Sequence, residues 1–154
     1  EAADALKELF TAAQKEGYEL IARSGYRSYA TQASLYGRYV EQDGVEAADT
    51  YSARPGHSEH QTGLTIDITS DGVHGGLTES FGETEEGKWV AENAYRFGFI
   101  VRYPQDRTAE TGYQYEPWHL RYVGVQAATE IYQDQLILED YVLSVMNRTS
   151  FLWD

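Results

Sequence analysis

The stretch SEHQTGLTIDIT, residues 58–69, decides how the fold is read. From Leu64 onward the side chains alternate: Leu64, Ile66 and Ile68 fall on one side, Thr65, Asp67 and Thr69 on the other. A period of two is that of a β-strand. The spacing therefore predicts a strand with an apolar back and a polar front that presents Asp67 to a cleft. Just upstream, residues 45–63 are rich in Gly, Ser, Ala and charge, and Pro55 with Gly56 marks a turn. That composition predicts a long irregular segment, a common seat for functional groups, and His60 lies in it.

Working outward, residues 3–16 carry Leu6, Leu9, Phe10 and Ala13 at helical spacing, and Gly17 ends the run. Tyr18–Ala22 reads as a short strand leading into SGYRS (24–28), where Gly25 allows a tight bend. A second helix is expected over 29–42, ending near Gly44. Beyond the central strand, 70–83 reads as a Gly-rich acidic loop. Residues 84–98 read as a helix burying Trp89, Val90, Ala94 and Phe97. Phe99–Tyr103 and Trp118–Val123 are further strands, the latter with His119 near its start, separated by a loop over 104–115. Residues 124–145 read as mostly helical, with Ile131, Leu138 and Val142 toward the core, and 146–154 as a packed tail or a stub leading elsewhere. The sum predicts one α+β domain over 1–154: a small antiparallel sheet, helices packed against one face, and a site in a cleft at the sheet.

The same central stretch offers chemistry. His60 and Asp67 are joined by His119 from a distant segment, EPWH (116–119), which also supplies Glu116. Two imidazoles and one carboxylate are the donor mixture of a catalytic zinc that keeps a fourth position open. The expectation is one Zn2+ held by His60, Asp67 and His119. Pro117 blocks regular helix or central-strand geometry at Glu116, an irregularity expected to swing that carboxylate over the site as general base. His57 is read as a supporting residue and His74 as solvated. Arg27 and Arg54, both in turn-like segments, are the candidate cations for a developing negative charge or a terminal carboxylate.

Composition narrows the classes of partner. There are 25 acidic residues against 12 basic ones and a formal charge of −13, which argues against nucleic acid, since phosphate neutralisation wants Lys and Arg on one surface. Thirteen tyrosines against five phenylalanines fit polar-tipped aromatic surfaces, as in a groove for a peptide or a sugar. Cysteine is absent, so disulfides and thiolate metal sites are too. No apolar run approaches the roughly 20 residues needed to span a bilayer. The chain starts at Glu1 rather than Met, which fits a mature or trimmed fragment from which a signal or anchor was removed. The expected oligomeric state is a monomer.

Three blocks in order, SGYRSYxxQ (24–32), SxHQxGxxxD (58–67) and EPWH (116–119), resemble the VanY-type family of zinc D,D- and L,D-carboxypeptidases that trim bacterial cell-wall peptides. The resemblance implies zinc bound by His60, Asp67 and His119, Glu116 as catalytic base, and Arg27 stabilising the polarised carbonyl or intermediate. It further implies that Gln32 and Ser58 line the substrate site and hydrogen-bond the peptide terminus; Arg54 and Tyr103 are placed near the cleft as substrate-binding candidates. The implied reaction is hydrolysis of the last peptide bond of a peptidoglycan stem, releasing D-alanine. L,D and D,D specificity stay open, with discrimination expected from the loops over 70–83 and 104–115. A wall substrate implies an extracellular or cell-envelope location in bacteria. The alternatives are an endopeptidase of the same fold and a non-catalytic zinc-containing module that binds the wall. Where relatives often carry alanine two residues before the aspartate, this chain has Thr65, with alternation preserved.

Overall fold

The computed structural model describes residues 1–150, with side chains described through 148. Helix α1 (Ala2–Lys15) buries Leu9 and Ala13 and stops at Gly17, whose φ of +91° suits glycine. Strand β1 (Ile21–Ser24) follows, then α2 (Tyr29–Asp43), capped by Ser28, whose Oγ accepts the Thr31 amide at 3.2 Å. After α3 (Val45–Tyr51) the chain reaches β2 (Thr65–Thr69) through a single 3-10 turn, Glu59–Thr62. Helix α4 (Glu85–Asn93) starts at Thr84, which accepts the Gly87 amide at 3.0 Å, with Glu85 and Glu86 favourably placed in its first turn. Strand β3 (Phe99–Tyr103), the single turn α5 (Thr108–Thr111), β4 (Glu116–Tyr122), α6 (Val125–Gln133) and α7 (Leu138–Ser150) complete the order.

The four strands form one antiparallel sheet in the order β1-β2-β4-β3. Ile68, Phe99, Trp118 and Leu120 pack against Leu9 and Ala13 of α1 and Trp89 and Val90 of α4, around Phe81. Gly87 makes the close approach possible, because a Cβ there would overlap the Phe81 carbonyl oxygen. The α+β class and the small helix-flanked antiparallel sheet are as the sequence predicts. Helices do not stay on one face, however. Ile100 points away from its neighbours Phe99 and Val101, and packs with Ala128 and Ile131 of α6 and with Leu138 of α7.

Local departures have identifiable causes. The first strand lies at 21–24, later than 18–22, because Tyr18 and Leu20 are apolar for packing against the core, Tyr18 lying against Trp89 at 5.9 Å. Helix α3 interrupts the expected irregular segment; it buries just Ala48 and so shows no apolar period. Val142 is exposed, while Ile131 is buried as expected. Of the expected tail over 146–154, residues up to Ser150 continue α7, and 151–154 lie outside the described residues.

Candidate metal centre

Sheet register assembles the centre. Asp67 of β2 stands directly opposite His119 of β4, and opposite residues share a face, so a strand pair supplies two donors side by side. His60 arrives from the 3-10 turn, and Gly63, at φ +71°, reverses the chain from that turn into β2. His60 Nδ1 lies 2.7 Å from the Gly25 carbonyl oxygen, which accepts its N–H. That leaves the Nε2 lone pair toward Asp67 Oδ2, 3.3 Å away. Gly25 therefore serves through its carbonyl; its φ lies outside the left-handed region, so no glycine-specific bend is needed there.

His119 completes the set. Its Nδ1 is 3.2 Å from Asp67 Oδ1 and its Nε2 is 3.4 Å from Glu59 Oε2. One ligand atom from each of His60, Asp67 and His119 falls within 4.8 Å of the others, and all three residues are buried. Asp67 Oδ1 is fully buried yet accepts no hydrogen bond, although an imidazole nitrogen stands beside it. A buried carboxylate oxygen in that state is costly unless a cation sits among the donors. Two neutral imidazoles and a carboxylate suit zinc with a coordination position left open, so the residues present fit one zinc ion. Burial works against ionisation of Asp67, but His119 and His60 outweigh it and hold its carboxyl below the usual range. For His119, burial opposes the cation, while Asp67 and Glu59 prevail and lift the imidazole to about 9 in the metal-free protein.

Glu116 reaches the same place through an irregularity in β4. Val101 pairs with Leu120 and Tyr103 with Glu116, so β4 advances four residues while β3 advances two. Residues three apart on a regular strand face opposite sides; here Glu116 Oε2 lies 3.5 Å from His119 Nδ1. The sequence reading placed Glu116 and Pro117 outside the strand, with His119 near its start. In the structure β4 begins at Glu116 and is internal to the sheet, and His119 sits near its middle. Proline is tolerated because β2 pairs with β4 over 119–121, leaving Pro117 within the bulge, where no ladder N–H is called for. Burial first, then the neighbouring Asp67 and Glu59, push the Glu116 carboxyl up to about 7 against the pull of the histidines.

A cavity of about 360 Å³ opens over this centre. Arg27 lines it, donating from one terminal nitrogen to Gln32 Oε1 at 2.9 Å and from the other to Ser24 Oγ at 3.0 Å. A guanidinium has five N–H donors, so Arg27 retains donors for a ligand. Gln32 also lines the cavity, but its amide is committed: beyond Arg27, its Nε2 donates to the Ala53 carbonyl at 2.6 Å and to Ser52 at 3.3 Å. It is a brace for Arg27. Ser58 and Tyr103 face the cavity with hydroxyls that make no hydrogen bond to the described residues, and Tyr103 stacks on Tyr113 at 4.5 Å. His57 lines the cavity as well, while His74 lies outside it in a turn at φ +53°. The loop expected to discriminate over 70–83 contributes Leu77, and that over 104–115 contributes Tyr113 and Gln114.

Arg54 is the candidate that the structure does not bring to the cavity. Its guanidinium is largely exposed and forked onto Asp49, with Nε at 3.0 Å and a terminal nitrogen at 2.6 Å. Sequence reasoning missed Glu59, which lines the cavity half-buried, accepts from Arg102 Nε at 2.9 Å and is ion-paired with Arg121 at 2.9 Å, besides touching His119. Burial opposes its ionisation, but His119 and the two guanidiniums hold its carboxyl down at about 2. Its place between Ser58 and His60 was a signal; its partners on β3 and β4 were not visible in sequence.

The VanY family, described as D-alanyl-D-alanine carboxypeptidase, matches residues 1–125, and the chain belongs to this family. Among its relatives, YodJ of Bacillus subtilis (strain 168) is 55% identical over 141 residues, 92% of this chain and 52% of that protein. The D-alanyl-D-alanine carboxypeptidase of Enterococcus faecalis (strain ATCC 700802 / V583) is 43% identical, over 89% of this chain and 52% of the relative. The chain thus spans about half the length of these curated relatives. The solved structure of the LdcB LD-carboxypeptidase superposes with a TM-score of 0.88 at 54% identity, covering 92% of this chain and 66% of that one. The D,D-pentapeptidase VanY of a VanB-type resistance cassette, solved with Zn(II), gives 0.78 at 45% identity, covering 92% and 81%.

Proposed function

We propose that this chain is a zinc-dependent carboxypeptidase that removes the C-terminal D-alanine from peptidoglycan stem peptides, acting outside the cytoplasm or within the bacterial envelope. The observation that carries the reading is one cavity holding the His60–Asp67–His119 donor set with the Glu116 carboxyl 3.5 Å from its edge. Relatives whose names give D,D and L,D activities support the reaction class.

Zinc, when bound by His60, Asp67 and His119, supplies a Lewis acid that acidifies water and polarises a carbonyl. Glu116 moves the proton. Its carboxylate takes a proton from an attacking water and returns it to the departing amine. Arg27, braced by Gln32 and Ser24, stabilises the negative charge that develops on the substrate carbonyl oxygen or fixes the terminal carboxylate. The Ser58 hydroxyl hydrogen-bonds the end of the peptide, and the stacked rings of Tyr103 and Tyr113 wall the side where the preceding residue lies. This wall, with Leu77 and Gln114, is where the configuration of that residue is selected.

Mass spectrometry of zinc-loaded protein incubated with synthetic stem tetrapeptide and pentapeptide, against metal-free protein, tests the reading. Zinc-dependent loss of one alanine from the tetrapeptide assigns the L,D type, and loss from the pentapeptide alone the D,D type. An internal cut assigns an endopeptidase, and absence of zinc-dependent product from either peptide overturns the proposal.

A further inference from the structure

Glu59 lines the cavity beside the metal centre, with its side chain 15% exposed. One of its oxygens, Oε1, accepts from Arg102 Nε at 2.9 Å and is ion-paired with Arg121 at 2.9 Å; the other, Oε2, faces His119 Nε2 at 3.4 Å. Arg102 carries the chain of contacts outward. Its two terminal nitrogens fork onto both carboxylate oxygens of Glu139 on α7, at 3.0 and 2.6 Å. Four charges, Glu59, Glu139, Arg102 and Arg121, therefore form a neutral quartet that joins β3, β4 and the last helix to a single histidine. Glu139 lies beyond residue 125, where the family match ends.

We propose that Glu59 is a positioning residue for the metal centre. It fixes the His119 ring through Nε2 and, together with Glu139, balances the charge of the two guanidiniums that would otherwise face a bound dication. Arg102 and Glu139 extend this brace to α7. This inference rests on the metal reading of the site. A histidine that ligates through Nδ1 is free to rotate unless Nε2–H has an acceptor, and carboxylates are frequent acceptors for ligating histidines. Buried arginines beside a metal ion repel it unless an anion of equal reach stands between them. Glu59 meets the first need and stands between the guanidiniums and the centre for the second, while the bidentate Arg102–Glu139 fork supplies the second negative charge and holds Arg102 so that its Nε stays on Glu59.

The test is the zinc dissociation constant of the full chain, measured by competition with a chromophoric chelator, together with the visible absorption spectrum of the Co(II)-substituted protein. Wild type is expected to bind one zinc. Glu59→Gln keeps shape and an acceptor but loses the charge. It is expected to weaken zinc binding about ten- to a hundredfold and to shift the Co(II) bands, with circular dichroism unchanged. The double variant Glu59→Gln with Arg121→Gln restores neutrality and is expected to recover most of the loss. Glu139→Gln, on a half-exposed carboxylate, is expected to weaken zinc about three- to tenfold, and it carries the test if Glu59→Gln fails to fold. Wild-type zinc affinity and an unchanged Co(II) spectrum in both single variants would overturn the inference while leaving the metal reading intact. A wild-type protein that binds no zinc overturns both.

Discussion

The metal centre and the α2–α3 wall border the same cavity, yet they are built in opposite ways. At the centre, His60, Asp67, His119 and Glu116 are buried and Glu59 is half-buried, and their positions follow from strand register and from partners on separate elements. The wall rests on two helices that bury little, Gln32 from α2 and Ala48 from α3. Pairs at the surface hold it: the Tyr36 hydroxyl donates to Asp49 at 2.7 Å, Arg54 forks onto the same carboxylate, and the Tyr51 hydroxyl donates to Asp43 at 2.6 Å. A buried, over-determined site tolerates almost no substitution, whereas a wall on exposed pairs can change shape at small cost to the fold. The donor set is thus tied to the sheet, while the α2–α3 side of the cavity is free to vary around it.

The largest effects are expected at the centre. Asp67→Ala removes the donor that touches both histidines, and zinc retained after dialysis is expected to fall to background together with turnover. Metal analysis by mass spectrometry checks it; full occupancy in the variant would sink the ligand assignment. Glu116→Ala separates chemistry from metal binding. Zinc is expected to stay while kcat falls by about 10²–10⁴-fold, the usual contribution of a positioned acid–base group. Loss of zinc in that variant would make Glu116 a ligand instead.

Arg27 stands where the two regions meet, since it lines the cavity while Gln32 and Ser24 brace it. Arg27→Ala is expected to retain zinc and lose about 10²–10³-fold in kcat, as when a donor to a developing oxyanion is removed. Steady-state kinetics separate the roles, because a change confined to KM would assign Arg27 to ground-state binding of the terminal carboxylate.

A fourth effect is a matter of pH. In the metal-free protein the His119 imidazole titrates at about 9, so below that pH zinc must displace its proton. Apparent zinc affinity is therefore expected to rise with pH, by about tenfold per unit for one displaced proton, and to level off near 9. Chelator competition across pH 6–10 reads the slope, and a flat profile would mean that His119 binds metal without proton release.

How much of this was legible in the sequence follows the same divide. Asp67 could be placed because strict alternation fixes which face a strand residue takes, and β2 lies where the alternation put it. His60 and His119 could be linked to it by residue type and motif. The extra residues of β4 could not be read, because they depend on how β3 pairs, although Pro117 announced that something irregular occurs there. Glu59 carried no reading of its own in the sequence; Arg102 and Arg121, brought from other strands, explain how a carboxylate sits there only 15% exposed. Helix α3 was invisible for a different reason: seven residues around one buried alanine leave no apolar period. What escaped was tertiary in origin at the centre, and too weakly patterned at the wall.

The smallest expected effect is also the most discriminating for the wall. Arg54 was a candidate for the substrate carboxylate, but its fork is occupied by Asp49 and it does not line the cavity. The Asp49 carboxyl is drawn down to about 2, first by Arg54 and then by the Tyr36 hydroxyl, so the pair is ionised at neutral pH and screened by solvent. Arg54→Ala is accordingly expected to leave kcat/KM on a stem peptide within about twofold of wild type, as befits an exposed ion pair. A tenfold loss would carry a different meaning. Arg54 would then be leaving Asp49 to meet the substrate, or Asp49 would be transmitting the change through Tyr36 into α2 and so to Gln32 and Arg27. Asp49→Asn tells these apart. If Arg54 must be released to act, that variant gains activity; if the wall must stay tied, it loses as much as Arg54→Ala.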